Sequence, residues 1–358
     1  MSDPTAPRVA LLWLEGVHPG SAPAYHLHGT LERLRATGVP SPSVLAETGS
    51  TGRVHRLTTV LLRSWRASRD HDVVVARWHV LGAPALLPWR IRRRRIVVLV
   101  QGVPSDVLSS HGWLRHFPRA LRTLSILPLR WADALVAAHE GIAAHVRSLP
   151  GVLAPVRVAP NGPPPLPTNL VPVHRDRPYV VFSGVLATWQ GVELMLAALD
   201  DPRWPEEVDL VVIGDGVESE RVRAAADPRV VPLGRLTPDR SQAYVLGALA
   251  SLCVRTRGPA SEHGVSPFKM LEAHALGVPV IVTDIPGQGD HVRANGGGLV
   301  IEPTPEDLAE AVARLLDEAT HRELASAARA AGLRTRWAQH AQVIADSVTP
   351  PVQHQVVR

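Results

Sequence analysis

The sequence predicts an α/β fold composed of two doubly wound, Rossmann-like domains of about the same size. Short apolar runs of the kind found in buried parallel strands alternate with helical or loop stretches along the chain. The proline-rich stretch Pro163–Pro167 interrupts this alternation and has the composition of a stiff linker. With 358 residues, the chain is long enough to bury a separate core on each side of that linker.

The first domain is predicted to open with a strand, a loop and a helix. Arg8–Leu14 is an apolar run suited to a buried strand, and Glu15–Pro23 is a loop that contains glycine and proline. A helix with apolar residues along one side follows until Gly38 ends it. The further strand candidates in this half are Asp72–Ala76, Ile96–Val100, Ala134–Ala137 and Val156–Ala159. This order predicts a parallel sheet covered by helices.

The second half has a similar architecture, although no internal sequence repeat is evident. A strand over Tyr179–Gly184 leads to a helix over Val192–Leu199. The next strand candidates are Val208–Ile213, Val230–Arg235, Leu249–Arg255 and Val278–Val282. We therefore predict one domain over residues 1–165, a second over 166–335, and a C-terminal helix and tail over 336–358.

Composition bounds the class of protein. Hydrophobic residues make up 45% of the chain and charged residues 20%, as in globular proteins. No apolar segment reaches the roughly 18 to 20 residues of a membrane-spanning helix and no signal peptide opens the chain, so we expect a cytoplasmic protein. The single cysteine, Cys253, excludes an intramolecular disulfide and is interpreted as a buried strand residue. Because no His, Asp and Glu cluster has metal spacing, neither a metal nor another cofactor is expected.

The two halves carry opposite charge. Residues 1–165 contain 20 arginines and 9 acidic residues, a net charge of +11, whereas the rest of the chain has a net charge of −6. The run Arg90–Arg95 could face an anionic membrane, an acidic acceptor or nucleic acid, or form a solvated loop. Nucleic acid is the least favoured, because no recognition module accompanies the arginines. Interleaved basic and apolar residues over Ser105–Arg130 form a second candidate for membrane contact, or a helix packed on its own domain.

The stretch Gly264–Gly277 has the strongest functional signal. Ser266 is suited to cap a helix, Pro267 fits its first position, and Gly277 can end it. Lys269, the only lysine in the chain, falls in the first turn, where the helix dipole disfavours a cation by about 0.3–1 kcal/mol. A cation in that place indicates an anion bound beside it.

Glu272 extends this signal. It follows Lys269 by one helical turn and lies on the same face of the predicted helix. Its carboxylate is suited to the hydroxyls of a sugar, while backbone N–H groups at a helix start attract phosphate. Lysine, carboxylate and helix start together fit a sugar-nucleotide diphosphate and its ribose.

A short motif in this stretch resembles the family 4 glycosyltransferases of the GT-B fold, in particular the branch with a Ser-Pro-x-Lys-x-x-Glu donor loop. The motif is Ser266-Pro267-Phe268-Lys269, followed by Glu272 and then by a Gly-x-Pro-Val turn. Two further segments resemble the same family. The turn that ends the first domain in that family resembles Asn161-Gly162, and the helix that returns toward the first domain resembles Arg336-Trp337-Ala338. The resemblance implies two Rossmann-like domains that face each other across a cleft, with the donor held by the second domain and the acceptor by the first.

The resemblance also implies a retaining glycosyltransferase. Such an enzyme would move a sugar from a UDP- or GDP-type donor to a hydroxyl of a glycan, lipid-linked or small-molecule acceptor, with no protein nucleophile. Peripheral contact with an anionic membrane would be made by the basic first domain. Two alternatives remain: a non-catalytic GT-B subunit that binds or activates a partner enzyme, and a sugar-nucleotide epimerase.

Site residues follow from the motif and the resemblance. The catalytic candidates are Lys269, Glu272 and Gln101. The remaining donor-site candidates come from loops after predicted strands and from the helix start, and they are Gly184, Gln190, Gly234, Arg235, Val265, Ser266, Pro267 and Phe268. Arg255 and Arg257 are candidate phosphate contacts, and Gly20 and Glu262 are candidates for the acceptor side.

The chain departs from the family pattern in three places. Val185 and Gln190 stand where many members carry Arg and Lys, and Gln190 is interpreted as a neutral hydrogen-bond donor. Gly264 replaces a glutamate, with Glu262 just upstream as a candidate substitute. Gln101 stands where a histidine is common, with His111 and His116 further along the chain. These departures leave the proposed site more dependent on Lys269 and Glu272.

Overall fold

A computed structural model describes residues 6–47, 52–102, 118–258 and 261–349. The chain divides into two compact units: Met1–Asn161 together with Trp337–Arg358, and Gly162–Arg336. Each unit holds one six-stranded sheet in which every strand pair is parallel. The prediction of two doubly wound α/β domains is confirmed.

The first sheet has the order β2-β1-β3-β4-β5-β6. Its strands are β1 Val9–Gly16, β2 Ser43–Glu47, β3 Val73–Arg77, β4 Arg95–Val100, β5 Ala134–Ala137 and β6 Val156–Val158. Its helices are α1 Ala22–Ala36, α2 Arg53–Asp70, α3 Gly82–Ile91, α4 Pro118–Trp131 and α5 Glu140–Ser148. Strand β2 was not predicted, because this edge strand starts with two exposed residues and has no long apolar run.

The second sheet has the order β12-β11-β10-β7-β8-β9. Its strands are β7 Tyr179–Ser183, β8 Asp209–Ile213, β9 Val230–Gly234, β10 Ala250–Cys253, β11 Val280–Thr283 and β12 Gly298–Ile301. Its helices are α6 Val192–Leu199, α7 Ser219–Arg223, α8 Pro238–Leu246, α9 Phe268–Leu276, α10 Gln288–Asn295, α11 Pro305–Arg314 and α12 Glu318–Arg334, with a 3-10 turn at Thr188–Gln190. Cys253 is buried in β10, as predicted.

The C-terminal segment packs on the first unit. A 3-10 turn, Trp337–His340, leads into helix α13, Ala341–Val348. The indole of Trp337 lies against Gly29 of α1, where an added Cβ would stand 2.2 Å from ring atom Cδ2. Arg33, one turn along α1, stacks on that ring at 4.8 Å and donates from Nε to the Trp337 carbonyl at 3.1 Å. Aromatic packing and a buried guanidinium thus attach this segment to α1.

The predicted basic run Arg90–Arg95 is only partly a solvated loop. Arg92 lies over the Trp65 ring at 5.2 Å, and Arg94 forms a 3.3 Å ion pair with Asp72. Arg95 is the first residue of β4 rather than part of a loop, and it donates to the Ser347 carbonyl at 2.7 Å. Three of the arginines in this run therefore make contacts within the first unit.

The structure describes only part of the second segment predicted to contact a membrane. Of the segment 105–130, residues 105–117, which include His111 and His116, lie outside the described residues, and the remainder belongs to α4. Within the described ranges, none of the helices has both the length and the apolar character needed to cross a bilayer.

Candidate functional site

The predicted donor-site loops meet at one edge of the second sheet. Strands β10, β7, β8 and β9 are consecutive neighbours, and all are parallel. The residues that follow them, including Gly184, Asp215, Arg235 and Arg255, therefore lie at the carboxyl edge of the sheet, where open α/β sheets bind ligands. Of these residues, Gly184, Arg235 and Arg255 were predicted as donor-site or phosphate-contact candidates, and that role stays a prediction.

Glycines allow close contact between these loops. Gly214, with φ +140°, has no room for a side chain, because a Cβ there would lie 1.8 Å from the Gly184 carbonyl oxygen. Gly191 has a left-handed φ of +65° and packs on Val254, while the Trp189 carbonyl accepts from Thr256 N at 3.2 Å. The loop after β7 is thereby attached to the loop after β10.

Helix α9 begins one residue later than predicted. Pro267 rather than Ser266 is the N-cap, with φ −74° and ψ 129°, and Phe268 is the first helical residue. The Pro267 carbonyl accepts from Met270 N at 3.2 Å, and proline has no side-chain oxygen that could cap the helix. Gly277 ends the helix in a left-handed conformation, with φ 74°, as predicted.

Lys269 points from the first turn of α9 to the loop after β7. Its Nζ donates to Oε1 of Gln190 at 2.9 Å and lies 3.6 Å from the centroid of the Phe182 ring. The Gly184 backbone passes beside it, since a Cβ on that residue would be 3.2 Å from Nζ. Gln190 is thus an acceptor for Lys269 through Oε1, and its predicted role as a donor to the ligand stays a prediction.

The surroundings of Lys269 disfavour its charged form. Burial lowers its pKa to about 7, and the nearby charge of Arg255 also lowers it, while Cys253 and Glu272 act in the opposite direction. A neutral amide and an aromatic face contact this partly buried ammonium in place of a carboxylate. An anionic ligand beside Nζ would favour the charged form and raise the pKa again.

Glu272 is buried one turn further along α9. Only 7% of its surface is exposed, and its Oε1 accepts from Nε2 of Gln242 at 2.9 Å. The same Nε2 donates to the Pro165 carbonyl at 3.1 Å. Burial raises the pKa of Glu272 to about 7, against the smaller effects of the Gln242 hydrogen bond and of Lys269. The carboxyl group can therefore change its charge near neutral pH.

Arg255 and Arg257 differ in position although they are close in sequence. Arg255 is anchored by its backbone, which exchanges hydrogen bonds with Oγ1 of Thr283 at 2.9 and 3.1 Å, and its charge reaches Lys269. Arg257 instead forms a 2.7 Å ion pair with Glu302, with both side chains more than half exposed. Of the two, Arg255 is the better placed for a bound phosphate.

Other predicted donor residues surround this centre. Gly234 has φ +65° with open space where a Cβ would be, and its carbonyl accepts from Gly214 N at 2.8 Å. Arg235 is exposed, and its charge contributes to the lowered pKa of Asp215. Val265 is joined through its N–H to the Pro286 carbonyl at 3.0 Å, whereas Glu262 is exposed in the preceding turn.

Two predicted residues belong to the first unit. Gln101 directly follows β4, and its Oε1 is buried with no donor among the described residues. Gly20, with φ +79°, is exposed in the turn before α1, where Ser21 caps the helix by accepting from Ala24 N at 3.4 Å. The structure thus places both in or beside loops at the carboxyl edge of the first sheet.

Sequence reasoning missed Gln242 and Phe182. Gln242 is 1% exposed and lies 30 positions from Glu272, so no local pattern could have paired them. Phe182 was predicted only as part of the strand that became β7. Across the described residues, no three His, Cys, Asp or Glu side chains are grouped so that they could hold a metal ion. The expectation that no cofactor is needed stays a prediction.

The fold and the site together indicate a class of protein. It is a doubly wound α/β protein in which a helix N-terminus suited to phosphate binding lies at the carboxyl edge of the second sheet. The family model described as glycosyl transferases group 1 matches residues 177–318. This match includes β7–β12 and every donor-site candidate named above. The second unit is thus related to that group of glycosyltransferases.

A mycobacterial enzyme is similar in sequence to part of the chain. It is the GDP-mannose-dependent alpha-(1-6)-phosphatidylinositol monomannoside mannosyltransferase of Mycobacterium tuberculosis, 32% identical over 186 residues. The match covers 48% of this chain and 47% of the relative. The chain spans about half the length of the curated relatives first matched.

Solved structures establish the fold along nearly the whole chain. Sucrose-phosphate synthase from Thermosynechococcus elongatus has a TM-score of 0.69 at 17% identity, covering 95% of this chain and 98% of that one. Anabaena HepE in complex with UDP-glucose also has a TM-score of 0.69 at 17% identity, with 96% and 99% coverage. The predicted GT-B fold is confirmed.

Proposed function

We propose that this chain is a glycosyltransferase that uses a nucleoside-diphosphate sugar. The observation that carries the proposal is the position of Lys269. The only lysine of the chain is partly buried against Phe182 and the Gly184 backbone, has a neutral partner in Gln190, and stands at a helix start. A bound diphosphate would supply the missing negative charge and would meet the backbone N–H groups of α9.

Glu272 completes the donor site in this proposal. Its buried carboxyl, oriented by Gln242, would accept from the ribose hydroxyls. A carboxylate held by one amide donor keeps its remaining lone pairs for such hydroxyls. A nucleoside-diphosphate sugar carries both a diphosphate and a ribose. One bound donor would therefore contact Lys269 and Glu272 at the same time.

The donor that we propose is GDP-mannose. Support comes from the mycobacterial relatives, whose names describe GDP-mannose-dependent enzymes at 31–32% identity. A structure in complex with UDP-glucose is similar only at 17% identity, where likeness supports the fold rather than the ligand. UDP-glucose is therefore the comparison donor in the experiments below.

The proposed reaction retains anomeric configuration. The acceptor hydroxyl would attack the anomeric carbon from the face that the diphosphate leaves, and its proton would pass to the departing phosphate oxygen. Negative charge grows on that phosphate as the glycosidic bond breaks, so Lys269 and the start of α9 would stabilise the transition state. Arg255 adds a second positive charge near the same place.

The acceptor side is assigned in this proposal to the first unit, with a hydroxyl of a glycan, lipid-linked or small-molecule acceptor as the nucleophile. Helices α2 and α3 expose Leu62, Trp65 and Ile91, and exposed Arg66 and Arg90 lie on the same two helices. Apolar side chains beside arginines that form no ion pair among the described residues favour peripheral contact with an anionic membrane. Flotation with anionic and with neutral vesicles tests this; equal binding to both would contradict it.

The proposed activity is tested with purified protein and radiolabelled GDP-mannose or UDP-glucose. We expect saturable binding and slow donor hydrolysis, both greater for GDP-mannose, and an α-linked product once an acceptor is supplied. Binding without any hydrolysis or transfer would favour the non-catalytic subunit, and a changed sugar still attached to its nucleotide would favour an epimerase. A chain that binds no sugar nucleotide would refute the proposed function.

A further inference from the structure

The carboxyl edge of the first sheet contains polar groups that the proposed donor chemistry does not use. Strand β1 lies between β2 and β3 in this sheet. After β1 the chain forms β2 on one side of it and then crosses to form β3 on the other side. Such a topological switch point is where doubly wound sheets bind ligands. Glu15 and Gly16 end β1, Arg77 ends β3, and His79 follows it.

Arg77 is already neutralised within the protein. Its guanidinium forms an ion pair with Glu15, and its Nε donates to Nδ1 of His26 at 3.2 Å. His26 is buried and its pKa is lowered to about 3, first by burial and then by the charge of Arg33, so it is neutral at pH 7. Glu15, Arg77 and His26 thus form a compensated unit with no positive charge left for a ligand.

Arg56 is a cation of a different kind. It lies on α2 and is only partly exposed, and no carboxylate forms an ion pair with it in the described part of the chain. Its Nε is buried without an acceptor there. Nη1 of Arg56 and Nε2 of His18 stand 3.1 and 2.6 Å from the place a Cβ on Gly16 would occupy. Because residue 16 is glycine, both side chains can lie over the end of β1.

His79 brings a further donor to the same place. Nδ1 of His79 accepts from Leu81 N at 3.1 Å, which puts the ring proton of the neutral tautomer on Nε2. The pKa of His79 is lowered to about 4 by burial and by the charges of Arg77 and Arg56. Because Leu12 pairs with Ala76 in the parallel β1 and β3 strands, His79 follows β3 at the level of Glu15, next to Gly16 at the end of β1. The end of β1 therefore has the Arg56 guanidinium, which no carboxylate pairs with among the described residues, beside the imidazoles of His18 and His79.

We propose that Arg56, His18 and His79 bind a phosphate group carried by the acceptor. The inference rests on the proposed function, because it assigns a chemical class to the acceptor of that reaction. A phosphate offers several acceptor oxygens to a guanidinium fork and to ring N–H groups, whereas a neutral sugar hydroxyl would leave Arg56 without a counter-ion. Since Glu15 already neutralises Arg77, the charge that selects the phosphate is that of Arg56.

The test titrates glycerol 3-phosphate, with glycerol as its neutral counterpart, into the Lys269→Ala protein by calorimetry at low salt. Removing Lys269 weakens the competing phosphate site of the second unit. We expect saturable binding of glycerol 3-phosphate alone. Arg56→Ala, added to this background, should weaken binding about tenfold or more, as for loss of a charge-assisted hydrogen bond. Arg66→Ala, which removes an exposed arginine of the same helix, should not weaken it.

Arg56→Lys separates binding from folding, because it keeps the charge and loses only the planar fork. We expect it to bind glycerol 3-phosphate more tightly than Arg56→Ala and to melt at the same temperature as the parent. Equal affinities for the Ala variants at 56 and 66, or no preference for glycerol 3-phosphate over glycerol, would overturn the inference. GDP-mannose binding is measured separately with Lys269 intact, so a failure of the donor proposal is seen on its own.

Discussion

Nζ of Lys269 donates to Oε1 of Gln190 across 2.9 Å, which joins the first turn of α9 to the loop after β7. The two residues are 79 positions apart in sequence. Gln190 stands where a cation is common in the family that the motif resembles, and here it positions the one lysine instead of adding a second charge. Because the amide is neutral, the positive charge of Lys269 remains available to a ligand.

Gln190→Glu should weaken donor binding. The new carboxylate would form an ion pair with Lys269, raise its pKa and repel the diphosphate, so we expect the Kd for GDP-mannose to rise about tenfold or more. Isothermal titration calorimetry measures this. Val185→Glu is the matched control, because it adds the same charge to the same loop at an exposed position. An equal loss of affinity in both variants would show a general charge effect rather than pairing with Lys269.

Gln242→Leu should destabilise the second unit and weaken donor binding. The substitution leaves the buried carboxyl of Glu272 without its donor and the Pro165 carbonyl without a partner, at an expected cost of about 1–3 kcal/mol in the free energy of unfolding. Urea denaturation measures the cost. In the Glu272→Gln background, which removes the carboxylate, the same substitution should cost less. Additive effects of the two substitutions would contradict the coupling of Gln242 and Glu272.

Donor affinity should be greatest near pH 7. The pKa of Lys269 is lowered to about 7, so above this pH the free protein loses the charge, and diphosphate binding must restore it by taking up a proton. The pKa of Glu272 is raised to about 7, so below this pH its carboxyl is protonated and accepts less well from ribose. Each limb should fall by at most about tenfold per pH unit.

Calorimetry with GDP-mannose in buffers of different ionisation enthalpy checks this pH dependence. We expect proton uptake on the alkaline side and proton release on the acidic side. Lys269→Met should abolish the alkaline limb only, and Glu272→Gln the acidic limb only. A profile that is flat in the parent protein, or that is unchanged by both substitutions, would refute the assignment of the two limbs.

Gly29→Ala should destabilise the first unit, although alanine in a helix interior is usually favoured over glycine by about 1 kcal/mol. The added methyl would lie 2.2 Å from Cδ2 of Trp337, so the indole must move from its place against α1. We expect a net loss of about 1–3 kcal/mol, typical of overpacking. Thermal denaturation measures it, with Gly52→Ala as control because a Cβ there meets no atom within 4 Å. Equal melting temperatures for the two variants would contradict this packing.

Much of the fold could be predicted because parallel strands buried on both faces are nearly continuous apolar runs. Every strand except β2 and β12, which both lie at sheet edges, was expected at about its observed position. An edge strand is buried less, so Ser43–Glu47 lacks that pattern. The start of α9 was one residue off, since Ser266 has the better capping side chain and only the backbone shows that Pro267 takes the N-cap position.

The site could be predicted only where its residues are close in sequence. Lys269 and Glu272 share one helix, and the single lysine, the helix start and the spacing of the two residues together suggested phosphate and ribose. The pairing of Gln190 with Lys269 and of Gln242 with Glu272 depends on how loops from separate strands meet at the sheet edge. Similarly, Arg56 differs from the other arginines of its half only through the neighbours that folding gives it.

The affinity of the Lys269→Ala protein for GDP-mannose tests the central claim most directly. Loss of a charge-assisted contact to the diphosphate should raise the Kd about tenfold to hundredfold and lower turnover further, with an unchanged far-ultraviolet circular dichroism spectrum. Arg257→Ala, which removes an exposed arginine already paired with Glu302, should leave the Kd unchanged. A Lys269→Ala protein that binds GDP-mannose as tightly as the parent would contradict the account of the donor site.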